Sequence, residues 1–427
     1  MTEPPAREPS RGSRFVPALL REHNFRNFWF GQSISVLGDQ ITLLALPIVA
    51  VLVLDADAAQ MGLLTAVGLL PHLLFSLPAG VLLDRVRRRR RLMIVSDLIR
   101  AATLAFVPLA FVLDALSIEL LFVLAFVIGT MAVVFDLAWL TMLSAVARRE
   151  QLVEANSLLN ASRSVSSVGG PAIGGVLIEA LTAPIALIAD AVSYVASAIF
   201  LARVHVDDQP IEHEPGTIRE QLATGMSFIV RDPIMRPSVF SVATVNLFNY
   251  GFQGLFILFA TRHLGLDPGV LGLALGAGAV GAVVGAVVAG PLGRRIGIGP
   301  GYIVGLVLFP AAAIVIPLAH GLPVAAIVVI LIVAEFVGGF GVMILDINGG
   351  SLLLARMPAR IRGRAGGAFR FINMGIRPIG ATLGGILGSL IGVRETLLIV
   401  TVAQLLGLLW LIGSPIPGLR EIPEPPE

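Results

Sequence analysis

The chain is expected to fold as an all-α integral membrane protein with twelve transmembrane helices in two six-helix, pseudo-symmetric halves. Three observations carry that expectation. Of 427 residues, 56% are hydrophobic and only 14% charged, with a mean hydropathy of +0.89. A soluble domain of this size needs far more charge to cover its surface. Apolar stretches of about 20 residues recur along the chain, the length a helix needs to cross a ~30 Å hydrocarbon core. The connections between them alternate between arginine-rich and arginine-poor.

Residues 1–26 are polar, proline- and arginine-bearing, and read as a cytoplasmic tail. The first bundle occupies residues 27–203, with spans at 27–54, 61–83, 92–113, 117–140, 155–181 and 184–202. Residues 204–236 form a cytoplasmic connector. Within it, Ile218, Leu222, Met226 and Ile229 share one helical face, which suits a helix lying in the membrane interface. The second bundle takes residues 237–413, with spans at 239–261, 269–292, 301–319, 323–347, 366–391 and 395–412. Residues 414–427 are proline-rich and expected to be a loose cytoplasmic tail.

Arginine supplies all 30 basic residues, and its placement sets the topology. It is absent from 55–60, 114–116 and 182–183, present in every connection on the opposite side, and only Arg262 and Arg394 break the alternation. Six arginines stand in the loop after the second span, at Arg85 and Arg87 to Arg91. Positive loops stay in the cytoplasm, so both termini are expected there. There is no cysteine, which excludes disulfides and thiol chemistry, and the six histidines lack metal-like spacing. Neither a metal nor another cofactor is expected. The basic residues form no single face, so nucleic acid is not an expected partner.

The halves repeat. Gly62 and Gly80 recur as Gly272 and Gly290, and Asp136 as Asp346, all shifted by 210 residues. Arg163 precedes Pro171 as Arg370 precedes Pro378, and the pairs Gly174–Gly175 and Gly384–Gly385 follow. Two halves related in this way imply a substrate site between them near the midplane.

Asp39 lies about 18 Å along the first span, near mid-bilayer, where an ionised carboxylate costs roughly 2.5–3.5 kcal/mol. It should therefore face water or a partner. Gln32, Ser35, Asp39 and Thr42 form one polar stripe, and Asn246, Asn249 and Gln253 form another on the seventh span. These stripes are expected to wall a substrate cavity, with Gln32, Ser35, Asn246, Asn249 and Gln253 touching substrate. Asp39 is the first candidate proton carrier, against the alternative of a carboxylate held permanently by interhelical hydrogen bonds. Glu335, in an otherwise apolar stretch, is the second. Asp97 and Arg100 stand at i and i+3 and can pair.

The stretch from Gly80 to Arg89 resembles the loop signature Gly-x-Leu-x-Asp-Arg-x-Gly-Arg-Arg of the major facilitator superfamily. Gly80, Leu82, Asp84, Arg85, Arg88 and Arg89 match it, and Arg87 replaces the inner glycine. The run Gly169-Gly-Pro-Ala-Ile-Gly-Gly175 is similar to the superfamily's antiporter motif, carried here by Gly170, Pro171, Gly174 and Gly175. Ser166 stands where that motif has a leading glycine. With Phe25-Arg-Asn-Phe, Leu37-Gly-Asp, Ser96-Asp-Leu-Ile-Arg-Ala, Asp190-Ala-Val-Ser-Tyr and Arg362-Gly-Arg, the chain resembles the drug:proton antiporter branch that includes macrolide and enterobactin exporters.

The resemblance implies a monomeric secondary transporter in the cytoplasmic membrane, exporting a small, partly hydrophobic compound in exchange for protons. It also implies an inner gate made by Asp84, Arg85, Arg88 and Asp136. An importer or lipid flippase of the same fold is the rival reading, and Gly170–Gly175 argues against the importer. A polytopic enzyme or sensor would need a clustered His, Cys or paired-carboxylate site, and none is visible.

Overall fold

Thirteen α-helices account for most of residues 17–84, 88–205 and 218–424, which the computed structural model describes. The first half comprises α1 (His23–Ile48), α2 (Ala58–Asp84), α3 (Arg89–Val112), α4 (Ile118–Val146), α5 (Leu152–Leu181) and α6 (Ala183–Ala202). A connector helix, α7 (Ile218–Arg231), leads into the second half. That half comprises α8 (Met235–Leu258), α9 (Pro268–Ile296), α10 (Ile298–Leu318), α11 (Val324–Arg356), α12 (Arg362–Ile391) and α13 (Val393–Gln404). All but α7 are long and apolar enough to cross a membrane, α13 together with its 3-10 continuation Leu405–Leu411, giving twelve spans among the described residues.

Several helices run beyond their expected apolar spans at the end of the bundle that bears the termini. α4 continues to Val146, α11 to Arg356, and α12 begins at Arg362. Hydropathy falls at Thr141 and Ser144 on α4 and at Asn348 to Ser351 on α11, but the backbone stays helical because Met142, Leu143, Val146, Leu352 and Leu353 beyond them pack into the core of each half.

The two halves keep one register. α5 and α12 have identical lengths and lie 210 residues apart, as do the linking residues Thr182 (φ 81°, ψ 152°) and Gly392 (φ 99°, ψ 150°). α1 and α8 both end in a π-turn, at Val49–Val53 and Phe259–His263, each closed by an i→i+5 bond and followed by a left-handed residue, Asp55 or Gly265. This register corrects the arginine–proline match, which is offset by three residues. Arg163 corresponds in position to Asn373, and Arg370 to Asn160.

The end opposite the termini is sealed by two glycine crossings. Gly62 on α2 meets Gly385 on α12, and Gly175 on α5 meets Gly272 on α9. A Cβ on Gly62 would stand 2.5 Å from Ala381 O and from Gly385 Cα, so only hydrogen permits that approach. Pro171 and Gly175 both back onto Gly272, so the helix-5 motif belongs to this seal. Arg262 adds a polar clasp across the halves, pairing with Asp55 and donating to Val51 O at 2.8 Å.

The apolar core follows the same division. One continuous cluster at the sealed end joins the halves through residues such as Leu44, Leu121, Phe252, Phe259, Leu271 and Leu397. Toward the termini the core splits. One cluster holds Phe25, Phe28 and Met93 of the first half; two others hold Tyr302 with Leu306, and Ile229 with Met235, in the second.

Two expectations about the connector and tail change. The apolar face of α7 does not lie open: Ile229 is fully buried, and Leu222 and Phe228 pack with Ala365, Ala368 and Phe369 of α12. The C-terminal segment is docked as well. Ile416 is fully buried, and Gly299 N donates to Leu419 O at 2.9 Å. Arg356 ties both together, pairing with Asp232 at 2.8 Å and donating to Glu424 O at 2.8 Å.

Gly62→Ala should force α2 from α12 at the sealed end, weakening that packing by about 1–3 kcal/mol. Spin labels on cysteines placed at Asp57 and Ser389 of this cysteine-free chain would read it. A longer distance component is expected; an unchanged distribution would remove the glycine crossing as the seal.

Candidate functional site

Two cavities lie between the seal and the terminus-bearing end, one walled mainly by each half. The first encloses about 720 Å³ and is lined by Gln32, Ser35, Asp39, Arg100, Asp136 and Arg163, with Ala286 and Met343 contributed by the second half. The second encloses about 760 Å³ and is lined by Asn246, Asn249, Tyr250, Asp346, Arg370, Asn373 and Arg377. Asp136, Asp346 and Arg370 are exposed, so both cavities admit solvent.

The cavities are the same wall built twice. Asp39 and Asn249, Gln40 and Tyr250, Asp136 and Asp346, Asn160 and Arg370, Arg163 and Asn373, and Ser167 and Arg377 are all related by the 210-residue shift. Position is kept while chemistry changes. The first wall carries two acids and two arginines; the second carries one acid and two arginines.

Asp39 is half-buried on α1, and its Oδ1 accepts a hydrogen bond from the Tyr194 hydroxyl on α6. Arg100 on α3 lies over the rings of Tyr194 (4.8 Å) and Phe135 (5.1 Å), which fixes the guanidinium between α4 and α6. Behind it, the fully buried Asp97 reaches Arg100 Nη1 at 3.8 Å, the expected pair. Asp97 has no hydrogen-bond partner at either oxygen, and Arg100 Nε has none either. Asp190, also fully buried, accepts from Thr42 and from Ser193 Oγ, the latter at 2.7 Å. α1 and α6 approach this closely because Gly38 faces Ser193 and Asp190.

Of the sequence-predicted residues, Gln32, Ser35, Asp39 and Asp136 meet in the first cavity, and Asn246 and Asn249 in the second. Gln253 is exposed and lines neither. Thr42 belongs to Asp190 rather than to the cavity wall. Glu335 sits at the α9–α11 contact, where a Cβ on Gly278 would come within 3.2 Å of its Oε2, and it lines neither cavity. Arg88 is exposed and not within ion-pair distance of Asp136. Arg85 and the side chain of Asp84 lie outside the described residues.

The sequence reading missed Tyr194 and Asp190 as partners of the first span, although both stand in the quoted Asp190-Ala-Val-Ser-Tyr stretch. It also missed Arg163, Arg370 and Arg377 as cavity residues. A three- and four-residue periodicity on spans 5 and 11, of the kind applied to spans 1 and 7, could have exposed them. Among the described residues, no group of three or more His, Asp and Glu side chains could hold a metal ion.

The family described as transmembrane secretion effector matches residues 13–425. The multidrug efflux pump Tap of Mycolicibacterium fortuitum is 27% identical over 400 residues, covering 90% of this chain and 93% of the pump. The putative bacilysin exporter BacE of Bacillus amyloliquefaciens is 27% identical over 245 residues, covering 57% of this chain and 60% of that protein. The crystal structure of a bacterial homologue of the iron transporter ferroportin, in an inward-facing state, superposes with a TM-score of 0.73 at 18% identity. That superposition covers 93% of this chain and 99% of the other.

Arg100→Met should cost about 3–5 kcal/mol, because it leaves Asp97 buried without a cation. Adding Asp97→Asn should recover part of the loss. Thermal unfolding of the purified single and double variants would measure it, and a double variant no more stable than the single one would break the coupling.

Proposed function

Because the chain belongs to the transmembrane secretion effector family of major facilitator transporters, we propose that it exports a small, partly hydrophobic compound across the cytoplasmic membrane by proton antiport and alternating access. Drug-like, macrolide-like or siderophore-like molecules fit that description. The single observation behind this reading is the placement of Asp39 on the wall of a solvent-filled cavity that stops at a glycine seal. Support for export comes from the Gly170–Gly175 motif and from the exporters Tap and BacE, to which the chain is similar.

The terminus-bearing end is the cytoplasmic one in this reading, since Arg88 to Arg91, Arg148, Arg149, Arg294 and Arg295 all gather there. The cavities then open inward. A compound enters from the cytoplasm or inner leaflet and lies between the walls, against Gln32, Ser35, Asn246 and Asn249, with Phe135, Trp139 and Met343 offering apolar surface. Gln253, exposed one turn beyond Asn249 on α8, extends that stripe toward the seal.

Asp39 is the proton carrier. With cargo in the cavity Asp39 crosses ionised; its charge is costly only when the cavity closes empty, so the return from the outward-facing state carries a proton that is released to the cytoplasm. Tyr194 holds the carboxylate, and Arg100, over the face of the Tyr194 ring, lines the same cavity. Glu335, enclosed between α9 and α11, is the second carrier. Opening of the seal and closure at the cytoplasmic end complete the cycle. There Asp84, Arg85, Arg88 and Asp136 come together as the inner gate, which explains why Asp136 and Arg88 stand apart while the cavity is open.

Topology is testable directly. Single cysteines at residues 57 and 88 should react differently with an impermeant thiol reagent applied to intact cells: residue 57 labels and residue 88 does not. The reverse pattern would invert the orientation.

Asp39→Asn should fold, keep exchange of substrate down its gradient, and lose accumulation driven by an imposed pH gradient in proteoliposomes. Full gradient-driven accumulation by this variant would mean that the proton travels elsewhere.

A further inference from the structure

The cavity of the second half is chemically unlike its partner, and the difference is an excess of arginine. Arg370 and Arg377 stand seven residues apart on α12, two turns along one face. At the equivalent positions of α5 stand the neutral Asn160 and Ser167. In the first cavity Arg100 and Arg163 share the wall with Asp39 and Asp136, so charge balances. In the second, two guanidinium groups face one carboxylate, Asp346, and neither arginine lies within ion-pair distance of it among the described residues.

Arg377 is prepared rather than idle. Its guanidinium lies 4.9 Å over the Tyr250 ring, which fixes its plane and leaves its edge of N–H donors unused by the ring. Its Nε is buried and has no hydrogen-bond partner. Arg370 is exposed within the cavity. Nearby, Asn246 Nδ2 donates to Asn373 Oδ1 at 3.1 Å, and Asn373 Nδ2 donates to Phe369 O at 3.1 Å, so the neutral amides satisfy each other and the backbone. That leaves the neutral Asn249 and Tyr250 and, as the cationic donors of this cavity, the two arginines. A half-buried guanidinium outside any ion pair is costly unless an anion completes it, and its planar fork suits two oxygens of one group.

We propose that the second-half cavity is an anion subsite, in which Arg370 and Arg377 bind a carboxylate or phosphate group carried by the exported compound. The proposal rests on the transporter reading and narrows it: the cargo is an amphiphile with an apolar body and an anionic head, not a neutral or purely cationic drug. Asp346 limits the affinity, so the anion can leave when the site turns outward.

The test is a binding measurement on the purified full chain, which needs no gradient and so fails independently of the proton-antiport reading. The probes are 2-naphthylacetate and its uncharged methyl ester, which share one apolar body. Isothermal titration should give the acid an affinity about tenfold or more above the ester, the scale of a charge-assisted hydrogen bond. Arg370→Gln with Arg377→Gln should erase that preference. Asp346→Asn should sharpen it by severalfold, which guards against a double variant that merely misfolds.

Repeating the titration in nanodiscs of phosphatidylcholine, with and without phosphatidylglycerol, separates sources. An unchanged preference assigns the site to a soluble cargo, and a preference suppressed by phosphatidylglycerol assigns it to a lipid headgroup. Equal binding of acid and ester by the unmodified protein, or binding of neither, overturns the proposal, as does a preference that survives loss of both arginines.

Discussion

Everything in this bundle depends on how an ionised side chain is accommodated within a membrane-spanning helix. A carboxylate or guanidinium facing hydrocarbon is expensive, so each must face water, a partner or another charge. The spanning helices of this chain use all three solutions. Asp136, Asp346 and Arg370 face the solvent-filled cavities. Asp190 is held by Thr42 and Ser193. Arg100 is sandwiched by two aromatic rings with Asp97 behind it. Asp39, Asp136, Arg100 and Arg163 border the first cavity and Asp346, Arg370 and Arg377 the second, while the apolar core is continuous across the halves at the sealed end.

That division gives the molecule its mechanics. At one end the halves meet through glycine crossings, a shared apolar core and the Arg262 clasp, and toward the other end the core divides around the cavities. Backbones touching through hydrogens slide or part with little rearrangement of side chains, whereas the interdigitated cores within each half resist deformation. Motion between rigid halves is then the easiest motion available. α7 and the C-terminal segment complete the second half: α7 docks on α12, the tail docks on α10, and Arg356 holds both.

Much of this was legible in the chain before any coordinates. Spans, their number and the repeat of Gly62 as Gly272 and of Gly175 as Gly385 followed from hydropathy and spacing, because bilayer thickness and close backbone approach act on sequence directly. The polar face of α1 was legible for the same reason: one buried acid on an apolar helix is conspicuous. What escaped depends on contacts between distant segments. Nothing in the periodicity of α1 tells that Tyr194, 155 residues away, will donate to Asp39. Gln253 fits the stripe of Asn246 and Asn249 by count, yet it is exposed and lines neither cavity. The amphipathic face of α7 was plain, yet a hydrophobic face matches protein as well as lipid, and here it met α12. Matching Arg163 with Arg370 failed because two similar residues drew the alignment off the helix register by three positions, hiding the arginines of the second cavity.

The paired cavities also bear on how such a protein changes its diet over evolutionary time. Because wall positions correspond one to one across the halves, a residue trialled on α5 has a geometric equivalent on α12, where the same backbone already supports a different side chain. Asn160 and Arg370, or Ser167 and Arg377, are such alternatives realised side by side in one chain. On the proposed reading that the cavities hold the cargo, altering what they accept requires a few substitutions facing water, away from the glycine crossings and the helix ends that maintain the architecture. A scaffold with this property can acquire new cargo by point mutation while its moving parts stay untouched, which is how closely similar bundles could come to serve dissimilar molecules.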